Sequence, residues 1–403
     1  MTDATDGRMA LDDLRVIELG QLLAGPFCGQ LLGDFGADVI KVEAPGKGDP
    51  IRQWGQAKAD GHSLWWPVLG RNKRTITLNL REKDGQDVLR LLVAEADVLL
   101  ENFRPGTLER WGLSPDELWE INPRLIITRV SGYGQTGPYA ARAGFGSVGE
   151  AMGGIRYVTG SPETAPSRAG ISLGDELAAV FACIGTLAAL HDRGRTGRGQ
   201  VVDSAIYEAV FAMMESLIPE WQIAGYTRER TGATLPGVAP SNVYPTRRGE
   251  MVLIAANQDS VFGRLCTAMG RPELATDERF ATHNARGENM KELDDLVAGW
   301  TATHELDDVL TRMHEAGIPA GLIYTAKDML SDPHFAARDA IVTLADKHFG
   351  EISMQSTFPR LSASPGRVRH TGREMGEDNE DVYGHLLGLG TEAIARLRAD
   401  GII

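Results

Sequence analysis

At 403 residues the chain exceeds the size at which a single hydrophobic core stops growing, so two domains are the expectation. Apolar residues make up 42% and charged residues 24%, the balance of an ordinary globular protein. Acids outnumber bases 55 to 41, and the net charge of −14 argues against a general nucleic-acid-binding surface.

The first residues, MTDATDGRMALDD, are polar and acidic and do not have the pattern of a secretory signal. RVIEL (Arg15–Leu19) reads as a strand, Gly25–Ala37 as a helix with a glycine stop, and DVIKVE (Asp38–Glu43) as a second strand. TITLNL (Thr75–Leu80) and DVLLE (Asp97–Glu101) flank a helix over Asp84–Glu95. SPDE at Ser114–Glu117 is a capping box with proline at the first helical position. RLIITRV (Arg124–Val130) is a further strand, and strands separated by helix-length segments predict a parallel sheet. Residues 175–218 read as mostly helical. The longest apolar stretch there, Leu177–Leu190, is shorter than a bilayer span and suits a core helix. Asn242–Ala256 predicts a hairpin turning at Arg247–Glu250, and helices follow near Ser260–Met269, Met290–Thr301 and Leu306–Glu315. The tail returns to strands at Ile341–Leu344 and Glu351–Met354, then to helices at Asn379–Leu387 and Glu392–Arg398.

Several chemistries are tested by residue pattern. The first turn, ELGQLLAGPFCG, does not form GxGxxG, which weighs against a nicotinamide enzyme despite Glu43 at the end of the second strand. No Walker motif, GxSxG elbow or HExxH is present, and the histidines are scattered, so no metal site is expected. Cys28, Cys183 and Cys266 stand far apart; buried thiols in a reducing cytoplasm are the simpler reading. At the head of the apolar helix stand Gly174, Asp175 and Glu176. Asp175 has a plain role open to it, as the third residue of a box-like cap begun by Ser172. It also has a chemical one, because a carboxylate at a helix N-terminus stays ionised and can attack a carbonyl, and Gly174 leaves room beside it. SGYGQTGPY (Ser131–Tyr139) follows a strand end, where parallel sheets bind ligands, but is equally readable as a turn cluster. Arg52, Asn72–Arg74 and ENFRPGTLERWG (Glu101–Gly112) place cations in loops of a kind that suits phosphates, against the alternative of solvated surface charge.

Taken together, VIELGQLLAGPFCGQLLGDFGADVIKVEAPGKGDPIR, NKRTITLNL, DVLLENFRPGTLERWGL, NPRLIITRVSGYGQTGPYA and LAALHDRGRTGRGQVVDSAIYEA resemble, in order and over nearly the whole chain, the class III CoA-transferase family. This is the CaiB/BaiF group, which also holds formyl-CoA transferase and 2-methylacyl-CoA racemases. The resemblance implies an α/β protein forming an interlocked, ring-like homodimer. A Rossmann-like large domain would take residues 1–225 and 331–403, and a smaller α+β domain residues 226–330. It implies acyl-CoA as a substrate, with no tightly bound cofactor and no metal, nucleic acid or membrane. Arg52, Arg74, Asn102, Phe103, Arg104 and Arg110 become candidate CoA contacts. Tyr133, Gly134, Gln135, Gly137 and Phe145 become candidate substrate or oxyanion contacts, with the loop Leu235–Asn242 an alternative for the oxyanion. Asp175 falls on the family's nucleophilic aspartate, which would pass through an aspartyl anhydride and an aspartyl-CoA thioester; Glu176 is then a helix-start acid facing elsewhere. Racemases of the family carry a histidine where this chain has Phe145, which cannot move a proton. The LPGVAPSNVYP form looks like members that use dicarboxylates. Transfer from succinyl-CoA to a small dicarboxylic acid is therefore the expectation, with Arg142, Arg168 or Arg228 as candidates for the distal carboxylate. A racemase or a non-catalytic CoA-binding protein is the alternative.

Overall fold

The computed structural model describes residues 7–403 and divides the chain into two compact units. The first is built from residues up to Ile155, from Ala169–Leu217 and from His334–Ile403. The second takes Arg156–Arg168 and Ile218–Pro333. The short run Arg156–Arg168 joins the second unit although its neighbours in sequence belong to the first.

The first unit carries a six-stranded sheet of β1 (Arg15–Glu18), β2 (Asp38–Glu43), β3 (Lys73–Thr77), β4 (Val98–Glu101), β5 (Ile126–Ser131) and β6 (Val201–Ala205). All neighbours are parallel and the order is β3-β2-β1-β4-β5-β6. Both faces are covered, so the strands are apolar at successive positions and the period of two sorts them. Ile17, Ile40, Ile76, Leu99 and Ile127 face one core, with Leu89 and Leu92 of α2 (Lys83–Ala94) and Tyr383 of the tail. Val16, Val39, Val98, Leu100 and Ile126 face the other, packed on Cys28 and Leu32 of α1 (Ala24–Asp34) and on a later helix. The predicted capping box forms, with Glu117 N–H donating to Ser114 Oγ and Ser114 N–H to Glu117.

Residues 175–218 are mostly helical, as expected, but VVDSA interrupts the helices as β6, an edge strand paired to β5 from Ile127↔Val201 to Ser131↔Ala205. The apolar stretch extends beyond Leu177–Leu190 into a 24-residue helix, Leu173–Thr196, long and apolar enough by composition to cross a membrane. In the fold, its small residues Ala178, Ala179, Ala182 and Ala189 pack against the sheet and α1. Gly146–Met152 is α3, Leu173–Thr196 is α4 and Ile206–Phe211 is α5.

The exposed edge of the sheet at β3 is closed by the tail. Thr75 N–H donates to Asp378 Oδ2 at 2.8 Å, Thr77 N–H to Asn379 Oδ1 at 2.9 Å, and Tyr383 Oη–H to the Thr77 carbonyl at 2.6 Å. Side chains thus occupy groups that another strand would pair. The two predicted tail strands form and pair as a hairpin, Ile341–Asp346 against Gly350–Gln355, and the Asn379–Leu387 segment contains a π-helical turn at Asp381–Leu386.

The second unit is α+β. Its predicted hairpin forms as β7 (Ser241–Pro245) and β8 (Met251–Ala255), with Ala320–Leu322 on the other side of β8. Val252 and Ile254 alternate inward onto Phe262, Leu293, Val297 and Met313.

Candidate functional site

The sheet order reverses between β1 and β4, and open parallel sheets bind ligands outside the carboxyl ends of strands at that point. The loop after β1 is held there by side chains. Asn102, just past β4, accepts from Gln21 N–H and donates to the Gln21 carbonyl, both at 2.8 Å. Leu22 N–H donates to Asp49 at 3.1 Å, and Leu22 itself lies at φ 63°, a left-handed conformation costly for leucine. Gly20 and Gly25 meet so closely that a Cβ on either would lie 3.1–3.2 Å from the other's Cα. These glycines serve close packing of the loop on itself and on Asn102. Beside it opens a cavity of about 450 Å³, lined by Leu19, Gln21, Ala44, Lys47, Phe103 and Trp111 among others. Phe103 and Trp111 meet edge to face at 5.5 Å.

Beneath this loop lies a buried set of charges that sequence reasoning missed. Lys41 on β2 contacts Glu18 at 3.2 Å and Asp49 at 2.6 Å, and donates to the Gly20 carbonyl. Lys73 on β3 reaches Glu18 at 2.8 Å and the Pro26 carbonyl at 2.7 Å. Burial lowers the Lys41 ammonium, but Asp49 and Glu18 outweigh it and leave its pKa raised. Burial alone would raise Asp49; Lys41 and the Ile51 and Leu22 N–H groups carry it below the usual carboxylate range. The ions fix the loop after β2 to the loop after β1. The signal for them was a lysine or glutamate inside otherwise apolar strands.

The candidate CoA contacts fall into two groups. Arg52 is bound on both sides of Glu43 at 2.7 Å, donates to the Arg373 carbonyl at 3.0 Å and stacks 3.6 Å over Trp66. Arg74 pairs with Asp38 and with Asp381 at 2.7 Å. These two guanidinium groups knit the first unit together. Arg104 and Arg110 are exposed and carry no carboxylate partner among the described residues; Arg110 donates to Thr107 Oγ1 at 3.0 Å. Lys47 and Trp111 line the cavity and were not singled out from sequence, though both lie in the stretches quoted for the resemblance.

Asp175 is the third residue of α4, and Ser172 makes no side-chain cap bond, so the cap begun by Ser172 is not formed. The Asp175 carboxylate instead lies against the Cα of Gly146, where a Cβ would come within 2.2 Å of Oδ2. Gly174 has the same tightness, with its would-be Cβ 3.0 Å from Glu150 and 3.1 Å from the Gly146 carbonyl, and its N–H donates to Glu150 at 3.3 Å. Small residues on α3 and α4 therefore bring two helix N-termini together at one carboxylate. Phe145, the residue before α3, is exposed.

The glycine-dense loop after β5 is ordered by its own bonds. Gly134, at φ +85°, donates to Ser131 Oγ at 2.9 Å, and Gln135 N–H donates to Asp203 on β6 at 2.8 Å. Burial raises the Asp203 carboxyl above its usual range. Gly137 also lies at positive φ. The Tyr133 ring lies over Gly144, where a Cβ would meet it at 3.1 Å, which ties the loop to the segment leading into Gly146. Of the arginines considered for a distal carboxylate, Arg142 sits 3.6 Å over the Tyr139 ring, while Arg228 is held by Glu220 in the second unit, which also contains Arg168. The loop Leu235–Asn242 belongs to that unit as well. Among the described residues no group of three or more side chains is arranged to hold a metal ion.

A parallel sheet with a cavity at its switch point and a carboxylate between helix ends defines an α/β protein with a candidate ligand site at the strand ends. The family model of CoA-transferase family III matches residues 11–379, and the chain belongs to that family and is a CoA-transferase. It is 60% identical to the succinyl-CoA–D-citramalate CoA-transferase of Chloroflexus aurantiacus over 98% of both chains. It is 41% identical to the beta subunit of the succinyl-CoA–L-malate CoA-transferase of the same organism over the full length of both. Among solved structures, a CAIB/BAIF family protein from Brucella suis superposes with a TM-score of 0.83 at 36% identity, covering 94% of this chain and all of that one.

Proposed function

We propose that the protein transfers CoA from succinyl-CoA to a small dicarboxylic acid, with Asp175 as the nucleophile. The observation that carries the assignment of the nucleophile is the Asp175 carboxylate seated on Gly146 at the head of α4. A carboxylate Oδ attacks the thioester carbonyl, the C–S bond breaks and CoA leaves as thiolate, forming an aspartyl–succinyl anhydride. The thiolate then attacks the aspartyl carbonyl and expels succinate, leaving an aspartyl-CoA thioester. The acceptor carboxylate attacks that thioester, and the released thiolate attacks the acceptor's acyl carbon in the new anhydride. The products are the acceptor's CoA ester and free Asp175. No proton moves at any step, which suits a site whose neighbour, Phe145, carries none, and the activated acyl group is conserved while water stays out.

Lys47, which lines the cavity at β1 and β4, and Arg104 and Arg110, next in sequence to its wall residues Phe103 and Trp111, supply charge for the CoA phosphates, with Phe103 and Trp111 as aromatic wall for the adenine. Asn102, Arg52 and Arg74 hold the loops that shape this site. In the loop Tyr133–Gly137, where Gly134 N–H and Gln135 N–H already donate to Ser131 and Asp203, the remaining backbone N–H groups are the candidates for stabilising the oxyanion. The names of the two curated relatives support succinyl-CoA as donor and a hydroxylated dicarboxylate as acceptor. The acting form is a cytoplasmic homodimer in this reading; Ile184 on α4 is 56% exposed and Phe211 on α5 46%, an apolar face suited to a second copy.

The test is incubation with succinyl-CoA alone, followed by proteolysis and mass spectrometry of the peptide containing Asp175. A CoA adduct on that peptide, absent in Asp175→Asn, together with D-citramalyl-CoA or malyl-CoA formation by the parent protein alone, is expected. Full turnover by Asp175→Asn would remove the assignment.

A further inference from the structure

The head of α4 is held from outside the helix. The first N–H groups of a helix have no partner within it. In α4 the Glu176 N–H donates to the Ser172 carbonyl at 3.1 Å, but the Ser172 side chain caps none of the N–H groups before it. The Gly174 N–H is met instead by Glu150 Oε1 of α3, at 3.3 Å. Glu150 is 2% exposed. It stands one helical turn after Gly146, so the two share a face of α3. The contacts between the helices are therefore reciprocal: Gly146 receives the Asp175 carboxylate, and Gly174 receives the Glu150 side chain. Elsewhere α3 is pinned to α5, where a Cβ on Gly149 would come within 2.5 Å of Ile206 and one on Gly153 within 2.6 Å of Val210. A buried carboxylate carried by a fixed element suits the positive end of a helix.

We propose that Glu150 is a positioning residue for the transfer reaction: by capping α4 from the neighbouring helix, it fixes the backbone at Asp175 and with it the direction in which the carboxylate meets the thioester carbon. This rests on Asp175 being the nucleophile. Gly174 directly precedes Asp175, so a shift of its N–H toward another acceptor turns the chain that leads into the Asp175 Cα. Glu150 acts through the backbone and needs no contact with substrate. Loss of the cap therefore slows the chemical step and leaves substrate affinity as it was. The cap requires an acceptor oxygen at this reach, and a neutral one serves.

Three variants separate reach from charge. Glu150→Gln keeps the reach and an acceptor oxygen and removes the charge. Glu150→Asp keeps the charge and draws the acceptor back by about 1.5 Å. Glu150→Leu, similar in volume, has no acceptor and repeats the test without a short buried carboxylate. With succinyl-CoA and D-citramalate, Glu150→Asp and Glu150→Leu should lose about tenfold in kcat with both KM values unchanged, and Glu150→Gln should stay within about twofold of the wild type. Hydrogen–deuterium exchange of the peptide covering residues 172–176, measured without substrate, should quicken in the first two variants and not in Glu150→Gln; Tm measurements establish that each is folded at the assay temperature. Wild-type kcat in a folded Glu150→Leu, a loss seen in KM alone, or a Glu150→Gln as slow as Glu150→Leu overturns the proposal. The CoA adduct on the Asp175 peptide of the wild type is measured alongside. Its absence overturns the nucleophile assignment, whereas an adduct with a flat kcat series overturns the role of Glu150 alone.

Discussion

Gly146→Ala separates a structural glycine from a catalytic one. Gly146 opens α3 without a positive φ, so alanine fits its backbone and, on helix propensity, stabilises by up to about 1 kcal/mol. The new methyl would stand 2.2 Å from Asp175 Oδ2 and 2.8 Å from its Cγ, distances that real Cβ atoms essentially never show. The carboxylate must therefore retreat by about 1 Å, and a misplacement of about 1 Å in a nucleophile costs about 100-fold in rate, or roughly 2.7 kcal/mol of activation free energy. The expected variant is folded, melts no lower than the wild type, and forms the new CoA ester about 100-fold more slowly. Gly194→Ala is the control, a glycine within α4 with no atom within 4 Å of its added Cβ; its kcat should be unchanged and its Tm slightly higher. Differential scanning fluorimetry and mass-spectrometric product assays read both. Wild-type turnover by a well-folded Gly146→Ala would refute the claim that this contact fixes the reacting group.

Three further outcomes follow from the site. Replacing Arg104 and Arg110 together with alanine should raise KM for acyl-CoA about tenfold and flatten its dependence on salt, while Tm holds, because both are exposed and neither is in a close ion pair among the described residues. Burial, offset only in part by Arg129, pushes the Glu101 carboxyl up to about 7 from an ordinary 4.5. The folded acid keeps its proton to higher pH than the unfolded one, so its contribution is fully present below pH 4.5 and is lost as pH rises through about 7. Urea titrations of wild type against Glu101→Gln should show that difference falling by up to about 1.4 kcal/mol per pH unit in this window, and an opposite slope contradicts the reading. Lys41→Met removes the ammonium between Glu18 and Asp49 and should cost about 3–5 kcal/mol, read as a lowered urea midpoint, because buried Asp49 loses the cation it is paired with and buried Glu18 loses one of its two.

The parallel sheet was legible because strands buried on both faces carry unbroken apolar runs, as in VLL (Val98–Leu100) and LII (Leu125–Ile127), and because SPDE marks a helix start without tertiary help. β6 was missed for the opposite reason. VVDSA is an edge strand, only partly buried, that follows directly on a long helix, and its Asp203 serves the neighbouring loop. The charges of the site were visible as residue types but not as roles. Arg52 and Arg104 look alike in sequence, yet one is closed on Glu43 and the other faces solvent, a difference decided by residues distant in the chain such as Arg373. Gly146 gave no signal at all, since a glycine beside a helix start is common and its partner, Asp175, lies 29 positions away.

The way the tail closes the sheet has a consequence for synthesis. The groups of β3 that Asp378, Asn379 and Tyr383 satisfy are made some 300 residues before those partners leave the ribosome. Until then the nascent chain carries an open parallel edge, a template for pairing with other chains. The compact stretch Ile218–Pro333 is complete before the tail emerges, so the order of completion runs from the middle of the chain outward. A message broken shortly before the codon for Asp378 would therefore yield a chain with every candidate catalytic residue in place and an unprotected sheet edge, a product destined for aggregates or for chaperones.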